Sequence, residues 1–97
     1  MDSLSSISLV TTDGQTIRLF ASGFKVDPLR VLLMTEADYL DAMRSIRSGG
    51  RMTGRSTAMP LLSSDRPTIT LALPNAGQWR IVYQKNDADT LIAEVVS

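Results

Sequence analysis

Residues 73–84, LPNAGQWRIVYQ, decide how the rest of the chain is read. A proline-glycine turn opens a segment in which Trp79, Ile81 and Tyr83 alternate with Arg80, Val82 and Gln84. That period of two gathers large rings on one face of a strand, in a chain that owns only one Trp, two Tyr and two Phe. The run 68–73 alternates in the same way, with Ile69, Leu71 and Leu73 on one side and Thr68, Thr70 and Ala72 on the other. Two such strands joined by Pro74-Asn75-Ala76-Gly77 are expected to pair as a hairpin, with Trp79 in the core.

Toward the C-terminus, Asn86-Asp87-Ala88-Asp89 reads as a turn, and 90–96 as a last strand rich in β-branched and aliphatic residues. Toward the N-terminus, the glycines and small polar residues of 49–65 predict a long loop with a short extended piece around Ala58 to Leu62. Before it, Thr35 is an N-cap with Glu36 and Asp38 in the first turn, where the helix dipole favours negative charge. Leu40, Met43 and Ile46 or Arg47 recur at helical spacing with Tyr39 beside Met43 across one turn, Arg44 and Arg47 suit the far end, and Gly49-Gly50 supplies the stop. Leu29 to Met34, LRVLLM, is almost continuously apolar, as expected of a central strand covered on both faces. Thr12-Asp13-Gly14 predicts a hairpin between 6–12 and 15–21, because Asp-Gly tolerates the positive φ of a type I′ turn. Residues 22–28 are a connection from which Phe24 and Val26 tuck back onto the core.

A chain of 97 residues is one domain, large enough to fold without staples. Ten basic and ten acidic side chains cancel, which disfavours nucleic acid and removes the general attraction to an anionic membrane. Cysteine and histidine are both absent. The chain therefore has no disulfide, no thiolate nucleophile and no thiolate metal ligand, and it lacks the usual general base near neutral pH. MDSLSSISLV has neither a basic n-region nor a long apolar h-region, and no run approaches a membrane span, so a cytoplasmic location is expected.

Several short strands with one helix describe a mainly β protein: a small antiparallel β-sandwich with a short crossover helix over about 36–48. Its inward set is Ile7, Leu9, Ile17, Leu19, Val31, Leu33, Ile69, Leu71, Trp79, Ile81, Tyr83, Leu91, Ala93 and Val95. A ferredoxin-like α+β fold is the alternative, and it needs a second helix that 49–65 does not offer.

Two blocks, LRVLLMTEADYLDAM at 29–43 and ITLALPNAGQWRIVYQ at 69–84, carry a resemblance. Leu33-Met34, Asp38-Tyr39, Leu73-Pro74 and Gly77-Gln78-Trp79 match a strand–helix motif and a later proline-turn tryptophan motif. From Leu29 onward the chain resembles a small bacterial β-sandwich domain family of unknown function, sometimes found fused to TIR domains. Members of that family carry a basic stretch with histidine and tyrosine after the helix, where this chain has Arg51-Met52-Thr53-Gly54-Arg55 and no histidine. The resemblance implies the fold and a bacterial setting, and no activity.

The sharpest local charge asymmetry is the series Arg44, Arg47, Arg51 and Arg55, uninterrupted by any acidic residue between Asp41 and Asp65. Spacings of three and four would align the first three on one extended helical face, and nearby glycines free backbone amides for an anion. The bland alternative is a solvated helix end. Trp79 and Tyr83 are a stacking platform only if their face is open, and aromatics alternating with isoleucine are more often core. Asp87 and Asp89 offer too few oxygens for calcium, and Ser63-Ser64-Asp65 lacks a base for hydrolysis. The sequence thus points to a non-catalytic binding or interaction module with no cofactor, meeting a protein or a small anionic ligand through Arg44 to Arg55, and no membrane. A structural oligomer-forming protein such as a phage component, or an enzyme using carboxylates, are the other readings.

Overall fold

The computed structural model describes residues 4–50 and 56–97. The protein is mainly β, with strands β1 (Leu4–Thr11), β2 (Thr16–Phe24), β3 (Leu29–Arg30), β4 (Leu32–Thr35), β5 (Leu61–Leu62), β6 (Thr68–Ala72), β7 (Gly77–Gln84) and β8 (Ala88–Val96). Helix α1 (Glu36–Arg47) follows β4, and a single 3-10 turn at Lys85–Asp87 precedes β8. All pairings are antiparallel.

Two three-stranded sheets carry the fold, β1-β7-β4 and β6-β2-β8. Trp79, Ile81 and Leu33 from the first meet Ile17, Leu19, Ala21 and Leu91 from the second in one buried cluster, with Ile7, Leu9, Ile69, Leu71, Tyr83 and Ala93 packed around it. The expected inward set, Val95 excepted, lies in or against this cluster, which Ala21, Leu29, Leu62 and Ala88 extend beyond it. Trp79 is 2% exposed, and its indole Nε1 donates to the Asn75 carbonyl at 3.2 Å, so the ring's one polar atom is satisfied on burial.

Strand partners differ from the expected hairpins. Thr12–Gln15 does reverse the chain, with Gly14 at φ 83° and a Gln15 N–H to Thr12 carbonyl bond of 3.2 Å. Yet β1 pairs with β7, residue for residue from Leu4↔Gln84 to Thr11↔Gly77, and β2 pairs with β6 and β8. Nor does β6 pair with β7: the Pro74 turn also steps from one sheet to the other. Both turns arch across the core, because strands in facing sheets satisfy the same inward alternation as strands side by side. Two boundaries also move: β2 runs on to Phe24, and β8 begins at Ala88. Phe24 packs on the core, while Val26 is 46% exposed.

The LRVLLM segment is central as expected. On one side β4 pairs with β7; on the other, 57–62 runs along it in a single register through Leu33↔Ala58, a Val31 N–H to Pro60 carbonyl bond, Arg30↔Leu61 and Leu29↔Leu62. The extended piece expected at Ala58 to Leu62 is thus an interrupted fourth strand of that sheet. Met34 and Val82 point away from the main core and are buried nonetheless; α1, with Ala42 as its buried residue, lies across part of this outer face against β4 and β7. The helix is rotated from the expected apolar stripe: Leu40 is 52% and Ile46 37% exposed. Its caps follow the sequence: Thr35 Oγ1 accepts from Asp38 N–H at 3.2 Å, and Gly49 at φ 84° closes the last turn.

Candidate functional site: the outer face of the helix-covered sheet

Even-numbered residues of β1 and β7 point to the outer face of the β1-β7-β4 sheet, and half of that face lies under α1. Arg80 organises this half. Its Nε donates to Glu36 Oε1 at 2.7 Å, its Nη1 donates to Ser6 Oγ at 2.9 Å, and its guanidinium carbon stands 4.4 Å from the centre of the Tyr39 ring. Ser6 Oγ in turn donates to the Tyr39 hydroxyl at 3.2 Å. The bond to Glu36 raises the Arg80 guanidinium above its ordinary value, against the opposing effect of burial. A cation so stabilised holds its charge, and its contribution to folding, through the whole neutral range; the contribution fades only in strong alkali. Glu36 and Tyr39, both on α1, thus tie the helix to the sheet through Arg80 and Ser6.

The other half of the face is uncovered and forms a groove of about 510 Å³, within the size range of small-ligand pockets. Its floor crosses the sheet: Leu4 on β1, Val82 and Gln84 on β7, and Leu32 on β4. Arg30 and the paired Leu61 extend it, and Val26, Pro28 and Asp87 close one end. Leu4, Val26 and Leu61, at 39%, 46% and 50% exposure, would be scattered surface residues elsewhere; here they converge on one concavity. Its charged lining residues are Arg30 and Asp87, so the lining carries no net formal charge.

The arginine series is less convergent. Arg44 Nη1 lies 3.4 Å from Asp41 Oδ1, with both side chains largely in solvent, so part of its charge is already met on its own helix. Arg47 is exposed in the last helical turn, one turn beyond Arg44. Arg51 and Arg55 lie outside the described residues. Asp89 forms an ion pair with Lys25 at 3.2 Å, and Asp87 lines the groove, so the two acids have separate neighbours. Ser64 Oγ donates to the Asp27 carboxylate, 37 residues away in the connection after β2.

The groove was not legible in the sequence. Its lining comes from β1, the 24–28 connection, β3, β4, 57–62 and β7, and only the register brings these together. The one local signal was Val26 and Pro28 in a connection otherwise short of apolar residues. Among the described residues no helix is long and apolar enough to cross a membrane. No family model, curated protein or solved structure matches this chain.

Proposed function

We propose that this domain is a non-catalytic binding module whose ligand is an uncharged, apolar segment of a protein partner seated in the groove on the helix-covered sheet. The observation that carries the reading is the convergence of exposed Leu4, Val26 and Leu61 over a floor of Leu32 and Val82. A single Arg30 balanced by Asp87 suits a neutral segment better than a polyanion. The reading favours binding over chemistry because the titratable lining residues are Arg30, Tyr83 and Asp87, in a chain without histidine or cysteine to act as base or nucleophile. The setting we propose, bacterial and cytoplasmic, follows the family resemblance and the sequence. The solvated arginines of α1 then serve solubility, and an anionic ligand becomes the weaker alternative.

Titration with a short capped peptide of leucine and valine tests the reading, with Val26→Asp and Leu61→Asp as variants. Binding should weaken strongly in both. The melting temperature should hardly move, because exposed substitutions shift stability by about 0.5 kcal/mol or less. Absence of binding to the native protein, or binding unaffected by both aspartates, would remove the groove as the site.

A further inference from the structure

Strand edges expose unpaired backbone donors and acceptors, and most edges of this sandwich are guarded against a second chain. The β8 edge carries Asp89 and Glu94. The β6 edge is five residues long and stands between Pro67 and Pro74. The outer edge of the β4 side is the interrupted strand 57–62, which contains Pro60. The β1 edge has none of these devices. It is eight residues, LSSISLVT, with no charge and no proline, and its one-to-one register with β7 leaves no bulge. Among the described residues it pairs only with β7.

The sequence of β1 is also nearly palindromic about Ile7: Ser6 mirrors Ser8, Ser5 mirrors Leu9, and Leu4 mirrors Val10. Antiparallel pairing of this strand with its own copy about Ile7 would face Leu4 with the partner's Val10 and Ser6 with the partner's Ser8 on the outer side of the sheet. Val10 is 65% exposed and Leu4 39%, so the register covers the apolar side chains that each monomer leaves in water. Two-fold symmetry makes each favourable pair occur twice, and no like charges meet.

We infer that β1 is a self-association edge, through which two copies of this chain join antiparallel and make their β1-β7-β4 sheets continuous. The groove lies on the outer face of the same sheet, with Leu4 at the border of the two surfaces. The dimer goes beyond the groove reading and does not depend on it: Val26 and Leu61 probe the groove, and Val10 probes the edge.

Sedimentation of the intact chain should show a monomer–dimer equilibrium, and β1 amide protection should rise with protein concentration. Val10→Lys should raise the dimer dissociation constant roughly tenfold or more, the effect of losing about 1.4 kcal/mol across the two symmetric pairs, with an unchanged circular dichroism spectrum. Leu4→Glu should do the same. An equimolar mixture of the two variants should regain the dimer, because the introduced lysine then faces the introduced glutamate while the second pair stays native. A native chain that is monomeric at its highest soluble concentration, a dimer indifferent to Val10→Lys, or a mixture that stays monomeric would each overturn the inference. The concentration dependence of β1 exchange uses no variant and decides the matter even if a variant misfolds.

Discussion

Each sheet of the sandwich carries an arginine–glutamate pair on its outer face, and the two pairs are nearly equal in length, 2.6 Å for Arg18–Glu94 and 2.7 Å for Arg80–Glu36. Their surroundings differ. Arg18 and Glu94 are 48% and 53% exposed on the open sheet, whereas Arg80 and Glu36 are 25% and 21% exposed beneath α1. In water the first pair trades one set of good partners for another, and solvent screens what remains. Under the helix Arg80 has given up part of its hydration and depends on Glu36, Ser6 and the Tyr39 ring instead. Bond length alone therefore says little about what a pair contributes. The helix makes one outer face of the molecule a structured surface, half interface and half groove, and leaves the other a solvated sheet.

The comparison fails at its root if the shared core is not where the two sheets meet, and Trp79→Ala tests that with the largest expected effect. Truncating an indole that is 2% exposed should cost about 3–5 kcal/mol in chemical denaturation, with both sheets lost together. Retention of the native melting temperature would mean that Trp79 is not a core residue. Next in size is Arg80→Ala, which strands Glu36 under the helix; about 1–3 kcal/mol is expected, together with loss of amide protection in α1. Arg18→Ala, its counterpart on the open sheet, should cost under about 1 kcal/mol and leave exchange in β2 and β8 nearly unchanged. Double-mutant cycles sharpen the contrast: the coupling of Arg80 with Glu36 should exceed that of Arg18 with Glu94, and added salt should erase the latter first. Equal couplings would show that α1 does not change the electrostatics of the face it covers.

Much of the fold could be read from local pattern. The period of two placed Trp79 and Ile81 inward, the cap at Thr35 and the stop at Gly49 bounded the helix, and the continuous apolar run at 29–34 marked a strand covered on both faces. Pairing could not be read in this way. Ile7 and Leu9 must face Ile17 and Leu19 whether β1 and β2 lie side by side or in opposite sheets, and the Asp13-Gly14 turn reverses the chain equally well in both arrangements. The helix orientation is not legible in the sequence for a related reason. Leu40, Met43 and Ile46 have the right spacing for a buried stripe, yet the sheet presents Arg80 beneath the helix, and Glu36 and Tyr39 turn inward to meet it. The groove depended on that same unseen register, since Leu4, Leu32 and Leu61 are distant in sequence and adjacent only across β1, β7, β4 and β5.

The difference between the two outer faces is also the most direct test of function, because both expose apolar side chains and the helix-covered one gathers Leu4, Val26 and Leu61 in a concavity. Phe20 and Ile92 sit opposite each other on the open sheet, 40% and 49% exposed, and serve as the internal control for Leu4, Val26 and Leu61. The measurement is amide and methyl chemical-shift mapping during titration with a capped leucine–valine peptide. Saturable shifts at Leu4, Val26, Leu32, Leu61 and Val82, with Phe20 and Ile92 unmoved, are predicted; shifts centred on Phe20 and Ile92, or equal on both faces, would contradict a binding surface built by the helix-covered sheet.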